Sequence, residues 1–181
     1  GTIDDAAGEA YDKAAATLGL GYPGGPEVDR RAAEGDPTVY RFPRSFRKDP
    51  AIKLSFAGLK TALLYRVRGP KGRDPLTLDA QGVSDACAGF QAAAVDCLAG
   101  KLCQAAADHG VETVAVGGGV ACNRGLRARL AQEAGCRGWE LLLPAVEHCV
   151  DNAAMIGALA AFQYQRGEFA PRDLVPVPTG R

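Results

Sequence analysis

Apolar residues recur every three or four positions through Ala7, Tyr11, Ala14 and Leu18, the spacing of one helical face. Asp4 and Asp5 stand ahead of that stripe, where they can cap and charge a helix start, and Gly19 can end it. The turn Gly21-Tyr22-Pro23-Gly24-Gly25-Pro26 follows, and Pro26 can open a short second helix that runs to Glu34 and closes at Gly35. Tyr40 to Phe56 reads as extended chain interrupted by Pro43 and Pro50, and Leu59 to Val67 reads as a helix. Gly69 to Asp74 is a basic Gly/Pro loop expected to be mobile. Beyond it Thr77 is expected to cap a long helix, Asp79 to His109, whose stripe is Ala86, Phe90, Ala93, Ala94, Cys97, Leu98 and Leu102 and whose end is Gly110. The remainder alternates: a strand (Glu112 to Val116), a glycine run (Gly117 to Gly119), a helix (Ala121 to Ala134), a strand (Trp139 to Leu143) stopped by Pro144, and a helix (Asp151 to Gln165) ending near Gly167. The Pro-rich tail from Phe169 is expected to loop over the surface.

Helix, strand, glycine loop, helix, strand, helix is an α/β order. At 181 residues the chain can bury a core of its own. Many Ala and 23 Gly among few aromatics favour tightly packed Ala/Gly-rich helices against a sheet. No apolar run approaches the length of a membrane span. A helix that begins within three residues of Gly1, with no core element before it, suggests a chain lacking an N-terminal half.

Net charge is zero, but its distribution is not even. Between Arg30 and Arg73 stand twelve Lys and Arg against only Glu34, Asp36 and Asp49. Clustered cations gain by releasing counterions condensed on phosphates, so the block suggests a landing surface for a polyanion. The six cysteines (Cys87, Cys97, Cys103, Cys122, Cys136 and Cys149) form no Cys-x-x-Cys pair and lie mostly in helical, Ala-rich surroundings. That points to reduced, mostly buried thiols of a cytosolic protein rather than a zinc knuckle.

Four segments can carry chemistry. The turn Val114-Ala115-Val116-Gly117-Gly118-Gly119-Val120-Ala121-Cys122-Asn123-Arg124 joins a strand to a helix; its glycines let a ligand approach backbone closely, the helix start presents free N–H groups, and Asn123 can add an amide. A plain steric βα turn is an equal reading, and no Walker A lysine follows. Asp151, before the last helix, is either an N-cap or a ligand for a metal or a ribose, with His148 three residues earlier. Asp12, Gly24, Gly25 and Asp29 place carboxylates around a Gly-Gly turn, fit for ribose hydroxyls or merely a solvated face and a tight turn. Lys60, in Ser55-Phe56-Ala57-Gly58-Leu59-Lys60-Thr61, can reach a phosphate or simply lie along the surface.

Taken together, DDAAGEAYDKAAATLGLGYPGGPEVDR, SFAGLKTALL, VAVGGGVACNRGLRARL and DNAAMIGALAAF are far more specific than any one alone. In that order and spacing the chain resembles the C-terminal portion of the TsaD/Gcp family, the tRNA N6-adenosine threonylcarbamoyltransferases formerly called O-sialoglycoprotein endopeptidases. The resemblance covers nearly the whole chain and is weakest in the Gly69 to Pro75 loop and the tail. It implies the actin-like (ASKHA) fold of sugar kinases and Hsp70, here its C-terminal lobe: residues 1–75 as an inserted helical, basic, tRNA-facing segment, residues 76–181 as an α/β lobe with the nucleotide loop, and the N-terminal lobe absent. It implies transfer of threonylcarbamoyl from threonylcarbamoyl-AMP to N6 of the adenosine beside the anticodon, in a cytoplasmic protein. The partners it implies are tRNA and accessory proteins of the same modification, bound mainly through the missing lobe.

By position, Asp12, Gly25, Asp29, Gly118, Gly119 and Asn123 match nucleotide- and substrate-binding residues, and Asp151 matches the one C-terminal ligand of a divalent metal, iron or zinc. The family's two metal histidines, in a His-x-x-x-His motif, and its Ser-Gly-Gly-His loop are not in this sequence, so neither His109 nor His148 takes over their role. The chain alone is therefore expected to be inactive. Cys122 stands where the family usually has a small residue such as alanine. Arg41, Arg44, Lys53, Lys60, Arg66 and Arg68 are the residues expected against tRNA phosphates. Competing expectations are a small-molecule kinase of the same fold, which has no need of the basic block, and a metal-dependent endopeptidase, for which no His-Glu-x-x-His is present. A folded lobe that only docks a partner is the non-catalytic alternative.

Overall fold

A computed structural model describes residues 2–47, 49–69 and 78–175. Thr77, nearly all of the basic loop at 69–74 and the end of the Pro-rich tail lie outside these residues. Two compact units are formed, residues 1–149 and residues 150–181.

The first unit is strung along one long helix. α1 (Ala7–Thr17), α2 (Gly24–Ala32) and α3 (Ala57–Arg68) pack around the N-terminal half of α4 (Ala80–His109). Ala10, Tyr11, Ala14, Val28, Phe42, Phe56, Leu59 and Leu63 close on Ala86, Cys87, Phe90, Ala93 and Ala94 in one core. Phe90 is fully enclosed and meets the rings of Tyr11 and Phe42 edge-on, at 5.4 and 6.5 Å. A second, smaller core forms farther along the same helix, where Val95 and Ala99 meet Leu126 and Leu130 of α5 (Arg124–Arg137). β1 (Thr113–Ala115) and β2 (Glu140–Leu142) flank α5 in sequence and pair in parallel, Thr113 opposite Glu140 and Ala115 opposite Leu142. This β-α-β order with packed helices is the α/β class the sequence predicts.

Small residues decide the closest approaches. At Gly35 a Cβ would stand 2.1 Å from the Ser84 carbonyl oxygen, and at Gly89 2.2 Å from that of Tyr40. Both are contacts between α4 and the first part of the basic block. Lys101, buried in α4, holds that segment from the other side. Its Nζ donates to the carbonyls of Asp49 (2.6 Å) and Ala51 (2.8 Å) and to Gln104 Oε1 (2.8 Å).

Helix starts differ from the sequence expectation, at α1 and α2 because carboxylates near one helix in sequence serve helices near them in space. Asp4 and Asp5 do not cap α1, which starts at Ala7 without a side-chain cap. Asp4 accepts instead from the Phe56 N–H (2.9 Å), at the start of α3, and from the Ser55 hydroxyl. Asp5 accepts from Lys13 (2.8 Å) and Lys60 (2.7 Å), and these two ammonium groups hold its carboxyl below the usual carboxylate range. α2 begins at Gly24 rather than Pro26, because Asp12 Oδ1 accepts the Gly24 N–H at 2.8 Å. α4 is capped by Asp79, whose side chain accepts the Gly82 N–H at 2.7 Å, and it ends at left-handed Gly110. α5 starts at Arg124, not Ala121: residues Gly119–Cys122 form a separate 3-10 turn.

In the second unit α6 (Ala153–Gln165) is capped by Asn152, whose Oδ1 accepts the Met155 N–H at 2.9 Å. Within that unit α6 exposes Met155, Ile156, Leu159 and Phe162. No helix among the described residues is long and apolar enough to cross a membrane.

Candidate functional site

The site is built where helix starts meet a glycine turn. β1 gives way after Ala115, the Val116 N–H reaches Leu142 O at 3.1 Å, and the chain then turns through three exposed glycines. Gly118 has φ 86°, a conformation that side chains rarely adopt, and an added Cβ at Gly117, Gly118 or Gly119 would meet nothing within 4 Å. The turn therefore offers open backbone because of its conformation, not because a neighbour forbids bulk. The 3-10 turn lies against α1, with Val120 Cγ2 3.8 Å from where a Gly8 Cβ would be.

Asn123 ends that turn and is buried. Its Oδ1 accepts the Leu126 N–H (2.8 Å) and caps α5, while its Nδ2 donates to Gln91 Oε1 (2.7 Å). Both ends of the amide are thus committed inside the protein. Asn123→Ala removes a cap and strands Gln91; it is expected to cost about 2 kcal/mol in denaturant-induced unfolding. Asn123→Asp, which keeps the cap, should recover part of that loss.

Two carboxylates of this region serve as caps in trans. Asp12, at the edge of the apolar stripe of α1, holds the first N–H of α2, and Gly24 is needed there because a Cβ would strike Asp12 Cα at 2.6 Å. Gly25 beside it is open. Asp29, midway along α2, reaches the start of α5: Oδ1 accepts the Arg124 N–H (3.3 Å) and Oδ2 the Arg124 Nε (2.6 Å), while Arg124 Nη2 reaches Asp29 O (2.9 Å). Tyr11 lies below with its hydroxyl buried and unpartnered, and burial together with the Asp29 charge pushes that hydroxyl up. Asp12, Asp29, Asn123 and the glycine turn are thereby joined through α1, α2 and the start of α5.

Arg124 is the residue that sequence reasoning missed. A signal existed: a cation in the first turn of a helix opposes the helix dipole and needs a nearby acid. Which acid it finds, 95 positions away, is a matter of tertiary structure.

Asp151 belongs to the second unit. It is exposed, the capping of α6 falls to Asn152, and the Asp151 carboxylate makes no hydrogen bond or ion pair among the described residues. Nor do the described residues contain a cluster of three His, Cys, Asp or Glu able to hold a metal. One carboxylate is a single donor, so the described residues do not by themselves make a metal centre. His109 closes α4, and His148 is exposed beside Glu147.

The basic block divides in two. Arg44 pairs with Asp96 (2.8 Å), Lys60 with Asp5, and Arg30 with Glu27 (2.9 Å). Arg41, Lys53, Arg66 and Arg68 are exposed and form no ion pair among the described residues; Arg66 stacks over Tyr40 at 5.0 Å. A stacked, exposed guanidinium is held in place yet keeps its donors free for an anion.

Comparison with known proteins identifies relatives throughout this architecture. The family model TsaD, described as tRNA N6-adenosine threonylcarbamoyltransferase, matches residues 1–158. A protein of that name from Geobacter metallireducens is 51% identical over 92% of this chain and 48% of its own length. One from Porphyromonas gingivalis is 44% identical over 97% of this chain and 50% of its own. One from Thermosynechococcus vestitus is 46% identical over 96% and 49%. The chain spans about half the length of the curated relatives it matches.

Proposed function

The chain belongs to the TsaD family, and we propose that it is part of a cytoplasmic enzyme that transfers threonylcarbamoyl from its adenylate to N6 of a tRNA adenosine, with release of AMP. The observation that carries this reading is the junction of Asp12, Asp29, the start of α5 and the exposed Gly117–Gly119 turn. Open backbone beside a helix N-terminus suits an anionic nucleotide, and adjacent carboxylates suit a ribose diol. The wider fold is then the C-terminal lobe of an actin-like protein, with residues 1–75 as the tRNA-facing insertion.

Each residue has a definite task in this reading. Gly118 and Gly119 let the phosphate end approach the main chain. Asp12 keeps one carboxylate oxygen for a hydroxyl while the other holds α2. Asp29 exchanges Arg124 for the diol, and the released guanidinium faces the incoming phosphate. Asn123 contributes by fixing the start of α5, its amide being already engaged. Asp151 offers one carboxylate to a divalent metal completed by groups outside this chain, as the family resemblance implies. Tethering the adenylate and the tRNA amine in one place lowers the barrier by orientation. Arg41, Lys53, Arg66 and Arg68 supply charge for tRNA phosphates and read no bases. Accessory proteins of the pathway complete the assembly.

Two measurements test the reading. Titration with AMP, followed by NMR, is expected to shift the amides of Gly25, Gly118, Gly119 and Arg124; unmoved amides there would overturn the nucleotide site. Arg66→Glu with Arg68→Glu is expected to weaken tRNA binding about ten-fold or more at moderate salt, and to flatten the slope of log K against log salt by about one for each phosphate left without its arginine. An unchanged isotherm would remove both residues from the tRNA surface.

A further inference from the structure

Cys122 and Cys149 are far apart in sequence and serve no part of the proposed transfer, yet the fold brings them to one place. Cys122 closes the 3-10 turn after the glycines, and Cys149 follows a second such turn, Val146–His148. Their sulfurs sit on consecutive carbonyls of that second turn. Cys122 Sγ lies 3.6 Å from Val146 O, and Cys149 Sγ lies 3.5 Å from Ala145 O. The Cys149 N–H also reaches Val146 O, at 3.1 Å, so both cysteines share that oxygen. Arg127 braces the pair from the α5 side: Nε donates to Ala121 O (2.6 Å), and Nη2 to Pro144 O (2.5 Å) and to Cys149 Sγ (3.4 Å).

The other four thiols have no such neighbour. Cys87, Cys97 and Cys103 are buried at separate turns of α4, and Cys136 is exposed on α5. Cys149 is enclosed, while Cys122 is partly open to solvent. One sulfur is partly open to a small oxidant and the other is held beside it, so an oxidised Cys122 meets a second thiol at once; burial and the neighbouring Cys149 push the Cys122 thiol up, which makes its first oxidation slow.

We propose that Cys122 and Cys149 form an oxidant-closed thiol pair that reversibly ties the turn following the glycine loop to the Val146–His148 turn. The oxidant is a small hydroperoxide. Peroxide oxidises the Cys122 thiol to a sulfenic acid and releases one water. The Cys149 sulfur then displaces the sulfenic hydroxyl, which leaves with the Cys149 proton as a second water. The net change is two thiols and one hydrogen peroxide giving one disulfide and two waters, and a dithiol reverses it. Closure pulls Cys149 from Arg127 and restrains the 3-10 turn between the glycine loop and α5.

The test is peroxide treatment of the reduced protein, alkylation, and peptide mass spectrometry. Trypsin separates the two cysteines at Arg124 and Arg137. The expected result is one cross-linked peptide joining Cys122 to Cys149, loss of two of the six titratable thiols, and full recovery with dithiothreitol. Cys122→Ala, a small change at a partly exposed site, is expected to abolish the cross-link, whereas Cys136→Ser leaves it unchanged. The proposal is overturned if all six thiols survive, if cross-links run chiefly through Cys136, or if Cys122 accumulates as sulfinic acid without a partner.

Discussion

Phe90→Ala is expected to lower the stability of the first unit by about 4 kcal/mol, within the range for emptying a fully buried aromatic site. The ring is the point at which α1, α4 and the extended segment through Phe42 meet, and none of its surface is exposed. Truncation removes the transfer energy of the side chain and leaves a cavity lined by Tyr11 and Phe42. Because those rings belong to elements on either side, partial collapse of the cavity would have to draw α1 toward the Tyr40 segment. The measurement is urea unfolding followed by far-UV circular dichroism. Phe90→Leu, which retains much of the volume, should lose less than half as much. A loss below about 1 kcal/mol for Phe90→Ala would mean that Phe90 is not the centre of this core.

The neighbouring residue is expected to fail in the opposite way. Gly89→Ala should raise stability by about 1 kcal/mol if helix propensity alone mattered. The fold reverses that sign. An added methyl would stand 2.2 Å from the Tyr40 carbonyl oxygen and 3.1 Å from the Phe42 ring, and the first of these atoms is backbone that cannot swing aside. Relief requires separating α4 from the Tyr40–Phe42 segment, so the net effect is expected to be a loss of roughly 3 kcal/mol. Because Arg41 lies on that segment and Tyr40 carries the stacked Arg66, the variant should also weaken the proposed tRNA binding at temperatures where it remains folded. A variant more stable than the parent would show that the two elements do not touch.

The candidate site is assembled from capping interactions. Asp12 and Asp29 each terminate a helix other than their own, so they are held in place before any ligand arrives. In the proposed reading binding is an exchange: a diol at Asp29 would compete with Arg124, and the guanidinium released from that ion pair would match the charge of an adenylate phosphate. The pair is partly solvent-exposed, which keeps the energetic penalty of the exchange small.

Periodicity and punctuation in the chain alone were enough to determine the order of elements, since each depends on neighbours within a few residues. Ala86, Phe90, Ala93 and Ala94 mark the buried face of α4, Gly110 marks its left-handed end, and the β-α-β order around Gly117–Gly119 follows from alternating patterns. The four motifs in their order were also enough to indicate the family. What the chain could not determine by itself was the partner of each charge. Asp4 and Asp5 precede a helix and Asp12 and Asp29 lie within helices, yet two are committed to α3 and Lys60, and two to the starts of α2 and α5. Likewise the basic block reads as one surface, whereas Arg44 and Lys60 are neutralised within the fold and Arg41, Lys53, Arg66 and Arg68 are not, among the described residues. Local backbone preferences act over one turn of chain, but an ion pair or a cap is chosen by distance in space. Only the packing of α1, α2 and α5 against α4 sets those distances.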